Sequence, residues 1–228
     1  MERHFEREIE SLKEQLLLMG GRAEQIVRKS IEALRRRDVE QAKGVFEDDH
    51  QIDRLEIDIE ERCIKLFALQ QPLATDLRFI MSALKISNDL ERVGDHAVNI
   101  AEGAIKLAAE PPLKPLVDIP RMASLATGML HDALDAFVRS DAEIARRLCR
   151  RDDDVDNLNH QLFRELLSYM IESPSTITRA MELILVARNL ERVADLATNV
   201  AEEVVFIAEA KIIKHHADEP VGEDFGRT

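Results

Sequence analysis

The chain of 228 residues has no tryptophan, one tyrosine (Tyr169) and eight phenylalanines, and it is sparing with glycine and proline as well. Leu, Ala, Ile, Glu and Arg dominate instead, the composition of packed helices. Only two cysteines occur, Cys63 and Cys149. Neither belongs to a Cys-x-x-Cys pair, and each falls in an apolar-periodic segment, so both read as small buried hydrophobes and nothing points to an oxidising compartment. A basic surface is missing too. The net charge is −13 and the isoelectric point about 5.1, which argues against nucleic acid as a partner. The compact basic run Arg35-Arg36-Arg37 reads as positive charge at a helix C-terminus. The start, Met1-Glu2-Arg3-His4, is charged and lacks a signal-type apolar region. No apolar run approaches the ~20 residues that span a bilayer. The expectation is a cytosolic chain that meets membranes only through partners. Gly20-Gly21 is followed by no Gly-Lys-Ser/Thr, and there is no nucleotide fingerprint and no supported Ser-His-Asp set. No catalytic constellation is legible, so the chain is not expected to be an enzyme.

What is present is helical periodicity. With 45% hydrophobic and 33% charged residues, the chain reads as globular. Leu12, Leu16, Met19, Ala23, Ile26, Val27, Ile31 and Leu34 recur at three- and four-residue steps and predict a first helix. Asp38, with Gln41 three residues on, predicts the cap of a second. That helix carries Val45, Ile52, Leu55, Ile59 and Leu66 and breaks near Gln70-Gln71-Pro72. A third runs from about Leu73 to Ala108. Three prolines between Glu110 and Pro115 cannot continue a helix. Then the pattern resumes. A fourth helix spans Met122 to Phe137 and ends at Ser140, which pairs with Glu143 as a capping box. A fifth is marked by Val155, Leu158, Leu162 and Leu166. Ser173-Pro174 forms an N-cap and N1 pair, and a sixth helix runs from about Ser175 to Ile213. The expected division is 1–110, a Pro-rich linker at 111–120, a second unit at 121–213, and a polar, fraying tail at 214–228 that contains His215-His216.

The two halves repeat each other. Leu90–Glu102 reads LERVGDHAVNIAE and Leu190–Glu202 reads LERVADLATNVAE, nine of 13 positions being identical at an offset of 100. Upstream, Asp49–Leu55 aligns with Asp152–Leu158, and Asp38 with Asp141, at an offset of 103. The difference of three falls in a helix–helix loop, where length is free to vary. The fold expected is all-α, a tandem repeat of two antiparallel three-helix bundles.

The repeat also duplicates acidic pairs. Asp49/Asp53, Glu91/Asp95, Asp152/Asp156 and Glu191/Asp195 each stand four residues apart, on one helix face and ~6 Å apart along its axis. Like charges at this spacing cost a helix ~0.2–0.5 kcal/mol per pair, a cost a bound cation offsets. Asn99 follows Asp95 by one turn on that face, together with Glu102, and Asn199 holds the matching place. Asp49, Asp53, Glu56 and Glu60 line the flank of the second helix. If the second and third helices pack antiparallel, the two acidic stripes meet along a groove. The ligand set of Asp49, Asp53, Glu91, Asp95, Asn99, Asp152, Asp156, Glu191, Asp195 and Asn199 is all oxygen. It suits hard cations: Mg, Ca, Mn, or iron under bridging carboxylates. The competing reading is a solvated acidic face, against which the repetition speaks. A ferritin-like oxidase or metal store is the alternative function. It needs paired Glu-x-x-His motifs, but Glu47-x-x-His50 is matched in the second half by Arg150 and Asp153. His96 is replaced by Leu196 and is not part of a repeated site.

At these residues the chain resembles the PhoU family over about residues 5–210. Leu90-Glu91-Arg92-Val93-Gly94-Asp95 and Leu190-Glu191-Arg192-Val193-Ala194-Asp195 both fit that family's Glu/Asp-x-x-x-Asp motif, and Asp49/Asp53 and Asp152/Asp156 fit its upstream acidic element. Asp76-Leu77-Arg78 is similar to the family's Asp-Leu-Arg, whereas Ile177-Thr178-Arg179 departs from it. The resemblance implies a regulator that restrains the phosphate-starvation response. It would act between the ATPase of a phosphate ABC transporter and a membrane sensor histidine kinase. Iron or other metal clusters at the acidic motifs and a homodimer are also implied.

Overall fold

The computed structural model describes residues 2–70 and 74–213. Among them every regular element is helical: α1 (Glu2–Arg36), α2 (Val39–Gln70), α3 (Ala74–Ala108), α4 (Asp118–Arg139), α5 (Ala142–Cys149), α6 (Asp152–Glu172), a 3-10 turn at Pro174–Thr176, and α7 (Ile177–Glu209). The expected break at Gln70-Gln71-Pro72 lies largely, and the tail from 214 wholly, outside the described residues. α1, α2 and α3 form one antiparallel bundle, and α4, α5–α6 and α7 the other. No described helix is long and apolar enough to cross a membrane.

The periodic residues form the core. Leu12, Leu16, Met19 and Ile26 of α1 meet Ile52 and Ile59 of α2, and Ile80, Ile86, Leu90 and Ile100 of α3, in one apolar cluster that continues into the second bundle. Each large side chain fully withdrawn from water contributes ~1.5–3 kcal/mol. The bundles join along a seam in which α3 and α7 run antiparallel. Ser82 donates to Glu203 at 2.8 Å and Lys85 pairs with it at 3.1 Å. His96 meets Asn189 at 2.9 Å, and Lys106 pairs with Glu182 at 3.3 Å. A second contact crosses α1 and α4, where a methyl group at Gly20 would collide with Leu134.

Helix ends repeat as faithfully as the motifs. Arg37 and Ser140 both adopt left-handed backbone (φ 58 and 50). The next amides close the same loop, Asp38 N–H donating to Ala33 C=O at 3.0 Å and Asp141 N–H to Ala136 C=O at 2.9 Å. This is a Schellman-type stop that satisfies orphan carbonyls. Asp38 then accepts from the Gln41 amide at 2.9 Å, as expected. In the second half the cap is not Ser140. Asp141 accepts from the amides of Glu143 and Ile144, both at 3.0 Å. Ser140 lies one residue too early, its backbone being spent on ending α4.

Three further differences from the sequence expectation have local causes. The helix expected to span the Arg150 region is broken into α5 and α6. Arg150 and Arg151 sit in bridge-region backbone, Arg151 is anchored to Asp132, and Asp152-Asp153-Asp154 forms an acidic first turn that favours a new helix start. α4 begins at Asp118, ahead of 121, because Pro120 falls in its first turn, where no N–H is needed. α7 stops at Glu209, where Ala210 turns left-handed (φ 57).

The basic run divides its work. Arg35 and Arg36 pair with Glu32 on their own helix. Arg37 reaches across to α3 and donates to the carbonyls of Leu107 (2.9 Å), Ala108 (3.1 Å) and Glu110. The dipole it meets belongs to a different helix. The linker is pinned: Arg179 donates to Pro111 C=O at 3.0 Å, and Lys114, 6% exposed, pairs with Glu165 and Asp118. Cys63 is buried and Cys149 half-buried. Burial first, then nearby carboxylates, pushes their thiols up to about 12 and about 11, which keeps both protonated and unreactive.

Candidate functional site

The hairpin of α2 and α3 brings the acidic faces of the first half together. Asn88 of α3 lies 3.5 Å from Glu56 of α2. One and a half turns further along α3, Gly94 has no side chain, and Asp49 of α2 lies where a methyl group would stand. Asp49, Asp53 and Glu56 thus face Glu91 and Asp95 along a shared groove. The electrostatics follow. Burial, then Asp53 and Asp95, pushes the Asp49 carboxyl up to about 6. Burial, then Asp95, Glu56, Asp53 and Asp49, pushes Glu91 up to about 7. Glu56 is raised by burial, partly opposed by the Asn88 amide, and raised further by Glu60, Asp53 and Asp95. His50 stands 3.4 Å from Asp53 at the open side, and Glu47 is exposed. Asn99 is exposed one turn beyond Asp95.

The second half forms the matching groove between α6 and α7. Burial, then Asp195, Asp156, Asp153 and Glu191, pushes Asp152 up to about 6. Burial and then Asp195 raise Asp156, with His160 opposing. Burial, then Asp156 and Asp195, raises Glu191, while Arg192 and Arg188 oppose. Arg192 bridges Asp195 at 2.7 Å, and Asn159 donates to Glu191 at 3.0 Å. Beside this groove, Asn199 lines a cavity of about 290 Å3 together with Asp152, Asp195 and residues of α3.

The structure therefore brings Asp49, Asp53, Glu91 and Asp95 into one groove, and Asp152, Asp156, Glu191 and Asp195 into another. Among the described residues, no three His, Cys, Asp or Glu side chains converge on one point as they stand. These are grooves of carboxylates within coulombic reach, not assembled cages. The donor set itself is all oxygen and fits hard cations. One oxygen, Asp152 Oδ1, is buried with no hydrogen-bond partner. Sequence reasoning missed Gly94 and Asn159. Glycine at 94 facing alanine at 194 was a visible signal, since a residue stripped of its Cβ inside a helix marks a close approach. His96 was set aside because the repeat lacks it, yet it crosses the seam to Asn189 and lines the cavity of the other half.

The PhoU domain model matches twice, at residues 16–104 and 119–204. A phosphate-specific transport system accessory protein PhoU homolog from Aquifex aeolicus is 48% identical over 217 residues, 95% of this chain and 98% of that protein. The homolog from Pseudomonas aeruginosa is 38% identical over 212 residues, covering 92% and 88%. The crystal structure of PhoU from Pseudomonas aeruginosa superposes with a TM-score of 0.88 at 38% identity, over 91% of this chain and 100% of that one. The regulatory protein PhoU from Streptococcus pneumoniae gives 0.85 at 29% identity, over 91% and 98%. With two matched domains, a shared helical fold and the acidic motifs at corresponding places in both halves, the chain belongs to the PhoU family.

Proposed function

We propose that this chain is a non-enzymatic regulator of phosphate uptake and of the phosphate-starvation response, an adaptor between the ATPase of a phosphate ABC transporter and a sensor histidine kinase. The observation that carries the reading is the pair of equivalent acidic grooves in a chain whose relatives bear phosphate-transport accessory names. Such an adaptor works by binding two conformational states of its partner with different affinity. A face for protein contact is available: Phe163, Leu167 and Ile171 form an exposed apolar row on α6, 48%, 42% and 76% accessible, the kind of patch a partner or a second copy of the chain covers. The chain would act in the cytosol and as a homodimer.

In this reading Asp49, Asp53, Glu91, Asp95 and Asn99, and Asp152, Asp156, Glu191, Asp195 and Asn199, hold hard cations, with Fe, Mn, Mg and Ca as the candidates. A bound cation supplies charge that inverts the local potential of a groove. The chain's own residues hold the carboxylates in place, through Gly94 in the first groove and Asn159 in the second. Nothing specific favours the ferritin-like alternative: Glu47 and His50 are both exposed, and the second half has no counterpart.

The test has two readouts. Deleting the gene in the source bacterium is expected to derepress alkaline phosphatase in high phosphate, and normal repression in that strain would refute the regulator reading. Elemental analysis of untagged protein is expected to find metal that is lost in the variant Glu91→Gln, Asp95→Asn, Glu191→Gln, Asp195→Asn. Absence of metal from both proteins, with the fold intact, would reduce the grooves to acidic docking surface.

A further inference from the structure

Each acidic motif shares its helix face with large apolar side chains nearer the hairpin tip. Leu77 precedes Asp95 by 18 residues and Ile177 precedes Asp195 by the same interval, about five turns of helix. Ile64 follows Asp53 by 11 residues and Leu167 follows Asp156 by 11, about three turns. Met81 and Met181 stand one turn inward of Leu77 and Ile177. The contacts of Asn88 with Glu56 and of Asn159 with Glu191 fix the hairpin registers. They bring Ile64 within a turn of Met81, and Leu167 within a turn of Met181. All six side chains face water. Ile64, Leu77 and Met81 are 63%, 41% and 42% accessible, and Leu167, Ile177 and Met181 are 42%, 45% and 45%.

One exposed leucine means little, but an apolar patch at the same three positions of both repeats marks an interaction surface. The face it belongs to is graded. It runs ~27 Å from the apolar tip at Leu77 to the acidic motif at Asp95. At the acidic end Glu60 and Asp95 are exposed and Asp53 is half-exposed. What covers such a face must match both of its ends. An anionic membrane suits the apolar tip, but the carboxylates repel it. The same face of a second copy fits in neither direction over its full length: laid parallel it sets acid against acid, and laid antiparallel it sets acid against apolar side chains. A helix with an apolar stripe and basic residues at one end matches both ends.

We propose that the α2–α3 and α6–α7 hairpin faces each dock an amphipathic helix of a partner protein, about 18 residues long. Its apolar side chains lie over the hairpin tip and its lysines or arginines over the acidic motif. Because α3 and α7 run antiparallel, the two tips point to opposite ends of the seam, and one chain can hold two helices at once. The first face depends more on charge, since Arg192 already bridges Asp195 at 2.7 Å in the second. A cation held in a groove competes with the partner's basic residues there. The proposal rests on the adaptor reading for the existence of a protein partner, and it supplies the surface that an adaptor needs.

The experiment is fluorescence anisotropy on chelator-treated full-length protein with three labelled synthetic helices of about 18 residues. The first has an apolar stripe and lysines along one half. The second has the same stripe with glutamates in place of the lysines, and the third has the composition of the first with the stripe scrambled. The lysine helix is expected to bind, and the other two to bind ~10-fold more weakly or less at low salt. Two lysine helices per chain are expected, one in Met81→Glu or in Met181→Glu, and none in the double variant, with helicity and melting unchanged. Leu18→Glu, at an exposed leucine of α1, is expected to keep both. Salt should weaken the site left in Met181→Glu more than the one left in Met81→Glu. No binding of the lysine helix up to about 0.5 mM, equal binding of the glutamate helix, or unaltered binding in the double variant would each overturn the assignment. Two further results, in place of helix binding, would also overturn it. A dimer that the double variant splits gives the face to a second copy, and adhesion to phosphatidylserine vesicles that the double variant abolishes gives it to lipid. The outcomes are separable from those of the gene deletion. A strain that stays repressed without the chain refutes the regulator reading and leaves the docking faces to anisotropy. Derepression with no helix binding removes the docking faces alone.

Discussion

The two grooves share a backbone and a motif but differ in charge. On α2 the first groove carries Asp49, Asp53, Glu56 and Glu60, and the same positions on α6 hold Asp152, Asp156, Asn159 and Phe163. Arg92 leans back toward Asp89 at 3.9 Å, whereas Arg192 bridges Asp195 at 2.7 Å. Gly94 lets Asp49 lie against α3, while Ala194 stands in the matching place. The first groove is thus an uncompensated row of carboxylates with Glu91 pushed up to about 7 by burial and then by its neighbours. The second is half neutralised and opens into a polar cavity. Duplication copied where side chains are placed. What each placement does was then set by residues outside the motif.

The seam between the halves offers the largest test of that difference. At one end Glu203, 2% exposed, holds Ser82 and Lys85. At the equivalent end the carboxylate belongs instead to Glu182, opposite Gly103 and Lys106. Glu203→Ala is expected to cost ~2 kcal/mol, because it strands the buried Ser82 hydroxyl and removes a buried partner. Glu182→Ala, at a pair whose lysine is well exposed, is expected to cost ~0.5 kcal/mol or less. Denaturant unfolding of the two variants checks the ranking, and equal costs would make the seam symmetric.

The grooves differ next in pH response. Glu91 and Asp49 take up protons more readily folded than unfolded. Their contribution is therefore neutral below the unfolded pKa near 4 and becomes unfavourable as pH rises toward about 7. Metal-free protein should be less stable at pH 8 than at pH 5. Glu91→Gln should remove roughly 1 kcal/mol of that difference, given how much solvent screens the groove. Glu191→Gln, whose carboxyl already has Asn159 and two arginines beside it, should remove less. Unfolding curves at the two pH values, with chelator present, decide this. A larger effect at 191 would reverse the order of the grooves.

The smallest contrast lies at the two left-handed helix ends. Ser140→Gly relieves a strained backbone and is expected to stabilise by ~0.5–1 kcal/mol. Arg37→Gly relieves the same strain but removes the cap on Leu107, Ala108 and Glu110, so it is expected to destabilise. Thermal melts of both variants suffice, and a stabilised Arg37→Gly would show that the α3 carbonyls do not need that side chain.

Much of this was legible in the chain before folding. Leucine and isoleucine spacing marked the helices, and the prolines around Pro112 marked the end of α3. The paired carboxylates announced themselves because i,i+4 spacing is a property of one helix. The break at Arg150-Arg151 was obscured by alignment to an unbroken α2, although three successive aspartates signal a helix start. Ser140 was mistaken for a cap because the Schellman stop that claims its backbone depends on geometry one residue away.

Sequence alone determined the elements, their duplication and the acidic face each motif helix carries, since these follow from local periodicity and chemistry. Only the tertiary structure decided which faces meet. Whether Asp49 lies against Gly94, whether Arg192 neutralises Asp195, and whether His96 reaches the opposite half's cavity depend on helices packing across ~8–10 Å from distant parts of the chain. Burial and charge at these sites are sums over neighbours brought together by that packing, and no single segment contains them.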